Sequence, residues 1–239
     1  MYPITYEADY KREPNRVSTF FRLILAIPWA IVGSVYMIAA FFTHIAAWIC
    51  LVFVARYPEG LYNFNSGVLR YMMRFYAFAY LQTDQYPPFG IGPDPTYPIR
   101  VQVAPRAEKQ SRLKVFFRGL LIIPAAFVAY LLSYTIHSGA AAIAWLTIVF
   151  RGYQPAGVHN ALTFTNSYFS RFGSYFLLLT DTYPPVGAEG PQVGDTPAIS
   201  ASPTAAAVAA PEQQAAPAAP EQAPPTPGQQ TPPGPGQAS

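Results

Sequence analysis

Two aspartates, three histidines, one cysteine and a few arginines are the side chains of this sequence with the types to do chemistry. Asp84 and Asp181 each stand in the setting Thr-Asp-x-Tyr-Pro-Pro, 97 positions apart. Two carboxylates repeated in this way would make an acid–base or cation site if they met across a two-fold axis. The structural alternative, which the double proline favours, is a helix-ending turn whose Asp or Thr oxygen accepts backbone N–H groups. A further structural option pairs Asp84 with Arg74 and Asp181 with Arg171. His44, His137 and His159 have no ligand spacing among them, so each reads as a side chain bonded to a nearby carbonyl rather than a proton relay or haem ligand. The single cysteine, Cys50, excludes an intramolecular disulfide and a two-thiolate metal site. Arg70, Arg74 and Arg171 are candidate contacts to lipid phosphate. The sequence has no Gly-rich phosphate loop, no Gly-x-Ser-x-Gly, no His-Glu-x-x-His and no Cys pair. No catalytic residue, cofactor or metal ligand is assigned, and the expectation is a protein that is not an enzyme.

The elements that must position these residues are dominated by lipid-like composition. Of 239 residues 51% are hydrophobic and 11% charged, against roughly 25% charged in an ordinary soluble domain. Leu23 to Ala55 carries no charge between Arg22 and Arg56, and a second such run lies between Arg118 and Arg151. Runs far beyond about 18 apolar residues read as membrane segments. The first 186 residues hold 15 basic and 8 acidic groups, a net charge of +7. That excess suits an anionic leaflet, and without base-stacking spacing it does not point to nucleic acid. The residues before the first run, with Glu7, Asp9 and Glu13, do not read as a cleavable basic leader.

The chain then repeats itself. Tyr97-Pro-Ile99 repeats Tyr2-Pro-Ile4 after 95 positions, and Arg112 to Arg118 repeats Arg16 to Arg22 after 96, with Pro124 matching Pro28. Trp145, Pro155, Arg171 and Asp181 repeat Trp48, Pro58, Arg74 and Asp84 after 97. One residue is therefore inserted between Pro124 and Trp145. Inside a continuous helix it would rotate all that follows by about 100°, so the spacing predicts a turn there, at His137-Ser138-Gly139. Each apolar run accordingly reads as a helical hairpin with both basic flanks on the cytoplasmic side, Arg22 snorkelling to the headgroups, with one long kinked span as the alternative. Pro28 is expected to kink or break the helix. Leu61, Phe64, Val68, Met72, Phe75 and Ala79 recur at helical spacing and predict an amphipathic helix along the interface.

Phe21 to Pro28, Arg56 to Asn65, Val68 to Arg74 and Thr83 to Phe89 carry motifs in both copies that resemble the bacterial DUF4389 family of membrane proteins. The second copy departs where Ser167 replaces Arg70 and Val186 replaces Phe89. The resemblance implies an actinobacterial-type membrane protein and transfers no activity and no catalytic residue.

The expected fold is an all-α integral membrane protein of two tandem pseudo-symmetric repeats, 1–90 and 91–187. Each repeat would be a membrane hairpin plus an interfacial helix, with short strands near Ile4 and Ile99 that pair. Residues 188–239, rich in Pro, Ala and Gln, should form a disordered tail. The expected function is structural or adaptor-like, in the cell membrane as a multi-pass protein, with a cytoplasmic tail offering polyproline segments to a protein partner. The alternative is a small transporter or lipid-binding protein with its site between the repeats.

Overall fold

The long apolar runs form helices because nothing interrupts them. In the computed structural model, which describes residues 2–187, α2 (Arg22–Val54) is one helix of 33 residues that passes through Pro28 without a break. At 1.5 Å per residue it is about 50 Å long. It follows β1 (Ile4–Ala8) and the short α1 (Arg16–Phe20), whose Asn15 cap accepts from the backbone of Val17 and Ser18. The chain leaves α2 at Ala55 in a left-handed conformation and returns as α3 (Glu59–Ala79).

The second repeat has the same order: β2 (Ile99–Val103), α4 (Arg112–Phe116), a long helix, then α7 (Ala156–Phe176). Its long helix consists of α5 (Arg118–Leu132), a π turn at Ser133–His137, α6 (Ser138–Leu146) and a terminal π turn at Thr147–Arg151. The inserted residue thus makes no loop. A π turn takes in one extra residue by widening locally, which leaves the helix on either side in phase. The expected hairpin within each apolar run is corrected accordingly, and residues 137–139 continue the helix.

A hairpin does form, but between the long helix and the one after it. Trp29 on α2 stacks on Tyr71 of α3, with ring centroids 3.4 Å apart, and Tyr71 donates to the Trp29 carbonyl at 2.8 Å. Thr43 donates to Asn65 at 2.8 Å farther along the pair, so α3 runs back antiparallel to α2. Small residues permit the approach: a Cβ on Gly33 would stand 3.2 Å from the Tyr71 ring. In the second repeat Tyr168 of α7 donates to the Ala125 carbonyl of α5 at 3.0 Å.

α3 and α7 then pack on each other and under the strands, β1 over α7 and β2 over α3. Of the 21 residues of α3 only Glu59, Gly60 and Asn63 are exposed. The expected interfacial helix is therefore a central one. Its polar residues Asn65, Ser66 and Arg74 point inward, while Leu61, Phe64, Met72 and Phe75 are half-exposed.

The repeats exchange their ends. The Gln154 N–H donates to Arg12 O at 2.8 Å, and the Gln110 N–H donates to Ala55 O at 3.1 Å. Trp48 donates to Val115 O at 3.3 Å. Each short helix thus docks on the far end of the other repeat's long helix. Both repeats lie within one unit. The predicted tail, 188–239, lies outside the described residues.

Candidate functional site

The two aspartates have different partners and do the same structural job. Asp84 accepts from the Asn15 N–H at 3.1 Å and Asp181 from the Ser111 N–H at 2.8 Å, so each holds the residue that caps a short helix. Asp84 pairs with Lys11 at 2.8 Å and Asp181 with Arg118 at 2.8 Å, in place of the expected Arg74 and Arg171. Burial works to raise the Asp84 carboxyl, but the Lys11 ammonium and the Asn15 N–H outweigh it and hold the group below its ordinary value.

The arginines at the start of each long helix are buried, which corrects the snorkelling expected of Arg22. Its guanidinium lies 4.2 Å from the Phe78 ring centre and donates to Thr83 O at 2.9 Å. Arg118 matches it, 4.0 Å from the Tyr175 ring and 2.7 Å from Thr180 O. Cation–π contact and a carbonyl thus take over the role of water for each ion. Their signal was in the sequence, since both precede an apolar run and match at 96 positions.

Of the three candidate lipid-phosphate residues, two face inward. Arg74 is 3% exposed and donates to Gly90 O at 3.2 Å and Gly92 O at 2.7 Å. Arg171 is 4% exposed and donates to Pro185 O and the Ser167 hydroxyl. Arg70 alone is half-exposed, with its Nε–H on Val101 O at 3.3 Å. The histidines lie apart, each against a different ring: His44 on Phe176, His137 on Tyr80, His159 on Tyr10.

Where the repeats meet, Gln82 joins them. Its amide donates to Thr163 at 2.7 Å, and its oxygen accepts from Tyr6 at 2.5 Å and Asn166 at 2.7 Å. Sequence periodicity carried no sign of this network, because Leu179 takes the place of Gln82 in the other copy.

The sequence profile of DUF4389, a domain of unknown function, matches twice, over residues 16–90 and 112–187. The chain belongs to the DUF4389 family. Each DUF4389 unit spans the short helix, the long helix, the returning helix and the Asp turn that closes them, and leaves both strands outside. Comparison with curated proteins and with solved structures finds no match. The second unit carries π turns at Ser133–His137 and Thr147–Arg151 where the first has regular helix, and Ser167 stands at the place of Arg70.

Proposed function

We propose that this DUF4389 protein is a membrane-embedded structural or adaptor protein whose paired units lie along one leaflet. The long helices give the apolar argument. α2 buries a stripe that includes Ala26, Trp29, Gly33, Ala40, Ala47 and Leu51, and turns Ile24, Ile31, Val35, Phe42, Ile49 and Phe53 outward. An apolar surface of this extent, free of charge over 33 residues, belongs in lipid.

The position of the sheet carries the orientation. Arg70, at the middle of α3, holds Val101 O at the middle of β2. Beside it Arg100 pairs with Glu7 at 3.3 Å and Asp9 at 2.6 Å, in side chains that are 30 to 58% exposed. Helices standing upright in the bilayer would set these ions at its midplane, where each costs at least about 2.5 kcal/mol. They would also divide the cations between the two sides, with Arg12, Arg16, Arg22 and Arg151 at one end of the long helices and Arg56, Arg112 and Arg118 at the other. Helices lying in the plane leave these ions in water and the exposed cations beside the same anionic headgroups.

The adaptor role rests on this exposed charged face and on the composition of the tail. Single cysteines at Gln85, Gln102 and Lys109 in a Cys50→Ser background test the arrangement. All three should react with an impermeant maleimide from the same side; Gln85 and Lys109 labelled from opposite sides would refute it. Deleting residues 188–239 should abolish recovery of protein partners, and unchanged recovery would remove the tail from the account.

A further inference from the structure

Between the amino-terminal half of α3 and the chain that passes over it lies a groove of about 670 Å³. Tyr62, Ser66 and Arg70 form one wall, and Gly92, Ala104 and Arg106 belong to the other. Arg74 holds that second wall in place through the Gly90 and Gly92 carbonyls. Two donors of the groove are underused. Arg70 spends one N–H on Val101 O, and Arg106 one N–H on Tyr57 O. A third is the Ser66 hydroxyl, 3% exposed, with the Tyr62 phenol oxygen as its acceptor. The phenol's own hydrogen goes to Ala104 O at 2.6 Å.

We infer that this groove binds a phosphate-type oxyanion, with Arg70 and Arg106 supplying charge and Ser66 donating a hydrogen bond. A guanidinium offers paired N–H groups in the plane that a phosphate oxygen pair accepts. Glu59 at the rim is the one acid lining the groove, so its two arginines leave a net positive field. A hydroxyl hydrogen held only by a neutral phenol oxygen gains by turning to a charged acceptor, which binds it more strongly.

The other repeat lacks this chemistry. Ser167 stands for Arg70, and Thr163 stands for Ser66. The Thr163 hydroxyl is already committed, donating to His159 O at 2.9 Å and accepting the Gln82 amide at 2.7 Å. The duplication therefore supplied two positions and equipped one. The inference does not depend on how the helices lie in lipid, because the chain itself forms the groove.

Calorimetric titration of the full chain in a neutral detergent tests it, with inorganic phosphate and short-chain dihexanoyl phosphatidic acid as probes. Arg70→Gln should weaken binding by about tenfold or more, and Ser66→Ala several-fold. Arg56→Gln, an exposed cation outside the groove, should bind as the unaltered chain does. Binding of both probes identifies a general oxyanion site, and binding of the phosphatidic acid alone identifies a lipid headgroup site. Should Arg70→Gln fail to fold, Ser66→Ala and Arg106→Gln carry the comparison, since Ser66→Ala removes only a hydroxyl beside the Tyr62 phenol. No binding of either probe, or equal binding by the groove variants, overturns the inference.

Discussion

Tyr6 and Val101 hold the same position in the two repeats and face each other across the centre of the β1–β2 pair. On either side Ile4 meets Val103 and Ala8 meets Ile99, so each strand sees the other as its own image. The pseudo-two-fold axis of the molecule runs through that central pair. The strands lie outside both DUF4389 segments, yet they fix how the two units are placed.

Tyr6→Phe probes that centre. The lost hydroxyl donates to Gln82, whose oxygen keeps Asn166 as a second donor. The cost should be near that of one net hydrogen bond, about 1 kcal/mol, read as a lowered denaturation midpoint with an unchanged slope.

Arg118→Met should be far more damaging. It strips the carbonyls of Tyr175 and Thr180 of their guanidinium donor and leaves Asp181 without its cation. Each hydrogen bond lost from a charged donor costs about 1.5–3 kcal/mol, and thermal unfolding in detergent should show it. Asp181→Asn, which keeps an acceptor for the Ser111 N–H, should cost less.

Asp84 gives a pH signature. Its folded value lies below the unfolded one, so the stabilisation is complete above the ordinary carboxylate range and is lost as pH falls through the lower folded value. Asp84→Asn should flatten this acid limb of a stability–pH curve and leave the neutral region lower but level. A limb that is unchanged in the variant would assign the acid sensitivity to another carboxylate.

The π turn makes a strong prediction about deletion. Removing Thr135 should turn Ser133–His137 into ordinary α-helix and restore the phase found in α2, with a folded product. Removing Ile38, equally exposed but in a regular helix, rotates the second half of α2 by about 100° and should abolish folding. Circular dichroism and monodisperse elution separate the two outcomes.

The sequence made the duplication plain, because unlike residues such as Trp48 and Trp145 or Asp84 and Asp181 recur in order. It also located the two strands, and it left the aspartates open between a paired site and a turn. The fold inside each repeat was less legible. The residue inserted before Trp145 suggested a loop, since periodicity alone does not distinguish a loop from a π turn. Arg22 suggested a snorkelling side chain, since only the folded chain brings Phe78 and Thr83 to it. The spacing of Leu61, Phe64 and Met72 located the apolar face of α3, but what covers the opposite face depends on α7 and the strands. The groove was least visible, because Ser66, Arg70 and Arg106 come together only when the linker crosses α3.

The orientation of the helices in the bilayer is the most direct test of the whole account. α2 and α3 run back to back in opposite directions, so polarised infrared absorption of aligned bilayers reads them together. Helix axes close to the membrane plane, with the amide I dichroism that follows, are the predicted result. Axes close to the membrane normal would place Glu7, Asp9 and Arg100 at mid-bilayer and contradict the account.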